Sequence, residues 1–223
     1  MCFSATASFT ASALLSTGGL VAISHAKHAR ALPLASIPLI FGIQQSLEGL
    51  VWISQPASLT YYLGMYGFLF CAYALWPILV PWGTVLYEGN VRDNPPLLAI
   101  AAIGTVVGSY FFSQLLQGNV SASIVQHSVC YSFRPELWYG MGLCYIFVVV
   151  LAGLFARNYF MKVFGVGLAA TFIFSRYVTE LTYVSIWCFF GALLSGVILW
   201  HFLYIARKNT TPIQTTRTKQ KKK

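Results

Sequence analysis

Three ionisable side chains stand inside stretches of sequence that are otherwise apolar: Glu48, Arg176 and Glu180. A charge within a hydrocarbon layer is costly, so each is a functional candidate that needs a partner. Gln44, Glu48 and Trp52 recur at intervals of four, and Gln45 stands three before the carboxyl. Helical spacing stacks these groups on one stripe. An amide, a carboxyl and an indole on one stripe can bind a polar group through hydrogen bonds. The same groups can instead join neighbouring helices, at roughly 1 kcal/mol each, and that reading weighs most on Gln44 and Gln45. Arg176 and Glu180 are also four apart. They either form a local ion pair that lowers its own desolvation cost, or Arg176 answers Glu48 across the bundle. With Gln114, an amide in another apolar stretch, the candidate ligand site comprises Gln44, Gln45, Glu48, Trp52, Gln114, Arg176 and Glu180.

The sulfur and imidazole groups offer less. Cys71, Cys144 and Cys188 fall within apolar runs and read as packing residues. Cys2 and Cys130 fall on the same expected side, where an oxidising compartment would permit a disulfide. Inert thiols come second, and a thiol nucleophile assisted by His127 comes last. His25 and His28 are three apart and could join His201 as zinc ligands. Their neighbours Lys27, Arg30 and Arg207 favour an interfacial basic girdle instead, so no metal is expected. No Walker A, dinucleotide-binding glycine, HExxH or GxSxG pattern occurs. The last span has no lysine for a retinal Schiff base, and the cofactor question stays open.

The elements that must position these groups follow from composition. The 223 residues are 57% hydrophobic and 9% charged, with a mean hydropathy of +0.69. Such a chain cannot cover a water-soluble globule with polar surface, so lipid bilayer is its expected surrounding. Seven windows reach the roughly 20 residues needed to cross a hydrocarbon core. They run over residues 8–25, 33–54, 61–84, 96–117, 137–156, 161–182 and 184–206. Pro77 and Pro81 close the third window and Pro95 and Pro96 open the fourth. The weakest division is the turn near Leu181 to Val184, without which six spans remain.

The net charge of +9 resembles a nucleic-acid signature until it is located. Arg207, Lys208, Arg217, Lys219, Lys221, Lys222 and Lys223 supply seven of fourteen cations, which reads as a solvated tail, and no nucleic-acid partner is expected. Two regions result: a seven-helix transmembrane domain over 1–206 and a disordered basic cytoplasmic tail over 207–223. Lys27, Arg30, Arg157 and Lys162 fall in odd-numbered loops. Because cytoplasmic loops retain lysine and arginine, the N-terminus is expected outside and the C-terminus inside. The longest outer connection, Gly118 to Pro135, has room for function.

The opening Met1-Cys2-Phe3-Ser4-Ala5-Thr6-Ala7-Ser8, then Leu32-Pro33-Leu34-Ala35, then Phe41-Gly42-Ile43-Gln44-Gln45 through Glu48-Gly49-Leu50-Val51-Trp52, resembles an uncharacterised family of small polytopic membrane proteins found mainly in bacteria. The family is a domain of unknown function, so the resemblance implies no activity. It implies grouping Cys2, Ser4, Gln45, Glu48 and Trp52 as one site. The expected fold class is all-α, a polytopic bundle of seven spans. The expected function is binding or transport of a small polar or amphipathic molecule through an intramembrane pocket in the outer half. A membrane-embedded enzyme acting on lipid or thiol substrate and a structural scaffold are the competing classes. The oligomeric state stays open.

Overall fold

The computed structural model describes residues 4–89, 94–118, 120–125, 128–133, 135, 137–178 and 182–210. Seven helices account for most of it: α1 (Ala5–Ser24), α2 (Ala29–Ile53), α3 (Leu59–Glu88), α4 (Pro95–Leu116), α5 (Trp138–Leu154), α6 (Tyr159–Val178) and α7 (Tyr183–Thr210). All but α5 are long and apolar enough to cross a membrane. The 17 residues of α5 reach about 25 Å at 1.5 Å per residue. The chain is an integral membrane protein with an all-α bundle fold. Thr182 stands between α6 and α7, and the two helices pack against each other, so the last apolar stretch is two elements.

Prolines shape two helices without ending them. In α2, Pro33 and Pro38 each occupy the first turn of a helical piece, where a missing N–H costs no bond, and the pieces meet at Ser36. In α3 the helix runs through Pro77 and Pro81 to Glu88, contrary to the expectation that these prolines close it. The reason is a π-helical segment, Phe70–Leu75, in which the Trp76 N–H reaches the Cys71 carbonyl five residues back. This widened turn delivers the chain to Pro77 at the start of a new α-helical stretch.

Close helix contacts rest on small residues, as they must where lipid removes the hydrophobic drive for helix association. A Cβ at Gly19 would overlap the Leu39 backbone, and one at Gly42 would overlap Ser16, so α1 lies directly on α2. The Ser12 and Ser46 hydroxyls bond across that contact at 2.5 Å. On α4, Gly104 packs on the Pro77 carbonyl, which Pro81 cannot satisfy because it has no N–H. Gly153 of α5 meets Gly165 of α6, where an added Cβ would stand 2.7 Å from the facing Cα.

One end of the bundle is tied by polar contacts between loops. The Arg30 guanidinium donates to the Gly89 carbonyl at 3.0 Å, and Asn94 Nδ2 donates to the Phe155 carbonyl at 2.9 Å. The Glu88 carboxylate accepts from the Arg157 backbone N–H at 2.5 Å and from Asn94 Nδ2 at 3.2 Å. Buried His201 of α7 bonds Tyr87 at 2.7 Å and Asn158 at 3.1 Å. The first, third and fifth connections therefore share an end with the C-terminal part of α7.

At the other end, the connection expected as a loop contains an antiparallel hairpin, β1 (Ser121–Val125) and β2 (Ser128–Ser132). An isolated hairpin is only marginally stable, and here α3 supplies the support. The Tyr61 hydroxyl donates to the Ala122 carbonyl at 2.7 Å and accepts from the Ala122 N–H at 2.8 Å. Tyr131 stacks on Phe68 with ring centroids 4.5 Å apart, and Val129 is fully buried.

Replacing Gly153 with leucine forces α5 off α6 and is expected to lower stability by about 1–3 kcal/mol. Gly196, whose added Cβ would meet nothing within 4 Å, gains helix propensity as alanine, up to about 1 kcal/mol. Thermal unfolding of the two detergent-purified variants checks both directions, and an unchanged midpoint for Gly153→Leu contradicts the packing account.

Candidate functional site

The polar stripe of α2 is turned inward, and Gln44, Gln45 and Glu48 have no solvent exposure at all. Gln44 Oε1 accepts from the Trp76 indole N–H at 2.8 Å. The Trp76 ring lies on Phe41, centroids 4.0 Å apart, so the donor is held by stacking as well as by its bond. One turn further along α2, Glu48 Oε1 accepts from the Ser185 hydroxyl at 2.5 Å. Ser185 is the third residue of α7, so the carboxyl faces the end of that helix whose dipole favours negative charge. Cys188, one turn deeper in α7, lies against Gln44 and near Glu48. Two glutamines, a carboxyl, a hydroxyl and a thiol are thereby enclosed among α2, α3 and α7. Trp52, half-buried, closes the stripe, and its indole N–H has no hydrogen-bond acceptor among the described residues.

Beside this cluster, at the hairpin end, opens a cavity of about 650 Å³. Its walls come from the π segment of α3, from α4, the hairpin, α5, α6 and the start of α7. Aromatic rings dominate them. Tyr73 stands 5.0 Å from Phe133 and 5.4 Å from Phe111, Tyr145 stands 5.8 Å from Trp187, and Phe172 stands 5.1 Å from Trp187. The π segment contributes directly, because the Ala72 carbonyl accepts from the Tyr145 hydroxyl at 2.6 Å. The phenols of Tyr73 and Tyr183 both line the space. Cys188 borders both the cavity and the buried polar cluster, so it joins the two.

Arg176, in the last turn of α6, lines the cavity near its mouth, with its guanidinium 4.8 Å from the Tyr183 ring centroid. Glu48 and Arg176 thus bear on the first turn of α7 through Ser185 and Tyr183 respectively. Gln114 is half-buried on α4 and does not line the cavity. Glu180, Cys2 and His127 lie outside the described residues. Cys130 lines the cavity from β2, opposite Ser123 in the hairpin register. Ser4 caps α1 by accepting from the Ala7 N–H at 3.2 Å and is exposed. The imidazole of His25 bonds Ser24 and the Val21 carbonyl of its own helix, while His201 is engaged with Tyr87 and Asn158. Among the described residues no three His, Cys, Asp or Glu side chains gather to hold a metal ion.

The sequence reading missed Ser185, Trp76, Cys188, Tyr73, Tyr145 and Tyr183. Ser185 and Cys188 carry a faint signal, being small polar residues three apart in an apolar run. The tyrosines carry none, because phenols occur throughout this chain.

Ser185→Ala removes the hydroxyl that donates to Glu48 Oε1 and is expected to cost about 1–3 kcal/mol, since a buried acceptor loses that bond. Glu48→Leu made on that background should recover part of the loss, because it removes the buried carboxyl whose bond to Ser185 is gone. A double-mutant cycle on thermal unfolding reads the coupling, and strict additivity would show that the two side chains do not interact.

No curated protein and no solved structure matches the chain. Residues 1–216, nearly the full length, match the model described as a family of unknown function, DUF6629, and the chain belongs to that family.

Proposed function

We propose that this protein binds a small amphipathic molecule in the cavity at the hairpin end of the bundle. The observation that carries the reading is the cavity itself: about 650 Å³ of space in a bundle whose other helix contacts are close enough to require glycine. Ligand sites in proteins fall in the range of about 300–1,000 Å³ and combine mostly apolar walls with a few convergent polar groups. Here the apolar part is Phe111, Phe172 and Trp187, and the polar part is Arg176, the phenols of Tyr73 and Tyr183, and Cys188. Gln44, Gln45 and Glu48, with Ser185, form a buried floor behind Cys188 that fixes α2, α3 and α7 around the cavity.

Orientation belongs to the same reading. The connections that carry Lys27, Arg30, Arg157 and Lys162 lie at the end opposite the hairpin, and the retention of lysine and arginine in cytoplasmic loops supports reading that end as cytoplasmic and the cavity as open to the outer side. The ligand then reaches the site from the outer leaflet or the outer solution.

Two measurements test this. Gly142 lines the cavity, and a Cβ there would meet nothing within 4 Å, so Gly142→Phe fills the space without moving the backbone. Mass spectrometry of organic extracts from purified protein is expected to find an amphiphile that falls at least about tenfold in Gly142→Phe and persists in Gly196→Phe, whose side chain lies outside the cavity. Equal recovery from both variants removes the cavity from the function. For orientation, a C-terminal alkaline phosphatase fusion expressed in a bacterial inner membrane is expected to be inactive; an active fusion reverses the assignment.

A further inference from the structure

We infer that the cavity selects its ligand by a flat, electron-poor ring, and that the ligand is a quinone carried on a hydrocarbon chain and drawn from the bilayer. The inference rests on the cavity reading above and adds the chemistry of recognition. Nine of the described residues that line the space are aromatic, and most of them belong to two walls. On one wall Tyr73 stands 5.0 Å from Phe133 and 5.4 Å from Phe111, and Phe111 stands 6.2 Å from Phe133. On the other, Phe172 stands 5.1 Å from Trp187 and 6.5 Å from Tyr183. Tyr145 joins the two, 6.2 Å from Phe111 and 5.8 Å from Trp187, and its bond to the Ala72 carbonyl holds it in place.

A saturated chain packs as well on aliphatic walls as on aromatic ones, so this composition points to a ring. Tyr145 and Phe172 stand at 71° and 69° to Trp187, and Phe111 stands at 83° to Tyr145. Edge-to-face pairs of this kind set a positive C–H edge on a negative ring face, and a further flat ring extends the pattern. Phenol and indole faces are electron-rich, so they attract the face of a ring whose electrons are drawn away by carbonyl groups. A quinone is such a ring. Its carbonyl oxygens also accept hydrogen bonds from hydroxyl groups, of which Ser132 and Tyr139 bring two to the lining. Because ring faces make the selection, it needs no net charge of either sign at Arg176. A volume near 650 Å³ falls in the range of sites for drug-sized molecules, which gives room for a two-ring head and the start of its chain.

The experiment uses full-length protein in phosphatidylcholine nanodiscs, with 2,3-dimethyl-1,4-naphthoquinone as the probe. Its quinone ring has no open carbon for addition of the thiols of Cys130 or Cys188, which also line the cavity. Quenching of Trp187, isolated by subtracting the signal of Trp187→Phe, reports occupancy, and saturable quenching is expected. Two competitors of equal carbon number are then titrated against the probe: 2,3-dimethylnaphthalene, which keeps the rings without the carbonyls, and 2-dodecanone, which keeps a carbonyl without the rings. Each is expected to bind about tenfold or more weakly than the quinone, a ratio that one or two ring pairs supply. Phe172→Leu should raise the quinone's Kd about tenfold and leave that of 2-dodecanone within about twofold, which also shows that the variant folds. The comparison of the three compounds in the unmodified protein needs no variant. A competitor that matches the quinone, with both lost in Gly142→Phe, overturns the quinone assignment and leaves the cavity reading intact. Absence of saturable quenching overturns the assignment as well, and the organic extracts of Gly142→Phe and Gly196→Phe then decide the cavity reading by themselves.

Discussion

Glu48 sits with no exposure inside a bundle that lipid surrounds, and a carboxyl in that position must find its partners within the protein. It finds the Ser185 hydroxyl at 2.5 Å, at the start of a helix whose dipole favours negative charge. This one interaction fixes much else. It ties α2 to the N-terminal turn of α7, which places Tyr183 and Cys188 on the neighbouring faces of the same helix. Gln44 performs the equivalent task one turn away, holding α3 through Trp76. The two bonds locate three helices relative to one another at one depth, and the cavity lies where those helices meet α5, α6 and the hairpin.

The cavity exists because the packing around it is uneven. Elsewhere, glycines bring backbones together: Gly19 and Gly42 join α1 to α2, Gly104 joins α4 to the Pro77 carbonyl, and Gly153 joins α5 to α6. Near the hairpin, the side chains between helices are Tyr73, Phe111, Tyr145, Phe172 and Trp187, whose rings hold the elements apart. Rings that meet edge to face, as Tyr145 and Phe172 do on Trp187, leave gaps that aliphatic side chains would fill. The π segment adds to this by widening α3 where Ala72 and Tyr73 line the space. A turn that departs from the α-helical bond pattern would be expensive next to lipid, and here the Ala72 carbonyl is satisfied by Tyr145.

Hydropathy made the seven helices legible, because crossing a membrane demands about 20 apolar residues irrespective of what packs inside. Internal irregularities were not legible. Pro77 and Pro81 read as stops because the π segment before Pro77 and the close approach of Gly104 to the carbonyl that Pro81 leaves without a donor both depend on helices far away in sequence. The hairpin was not legible for a similar reason: Ser121–Val125 and Ser128–Ser132 carry strand-favouring Ile124, Val125, Val129 and Tyr131 but are short and depend on Tyr61 and Phe68 for a surface. At the site, Gln44 and Glu48 announced themselves as polar groups where hydrocarbon was expected. Trp76, Tyr145 and Tyr183 did not, since an aromatic residue in an apolar helix looks the same whether it faces lipid or a partner. Depth could be read from the chain, but which side of each helix faced which neighbour could not.

The two ends of the bundle differ in a way that bears on what the cavity can do. At the end away from the hairpin, Glu88, Asn94, Asn158 and His201 bond backbone and side-chain groups from several loops, and these short contacts leave little room for passage. Tyr87 and His201 add a bond between α3 and α7 on the same side. At the hairpin end, the cavity is bounded by a two-stranded element that Tyr61 and Phe68 of α3 hold through Ala122 and Tyr131, with Val129 buried beneath it. In the proposed function, this asymmetry favours access from the hairpin side. A molecule held there as proposed would lie among Arg176, the phenols and Cys188, with the Gln44 to Glu48 cluster behind them. Passage onward would require separating Glu48 from Ser185, the contact that places the helices, so capture at the hairpin end agrees with the packing better than an open path through the bundle.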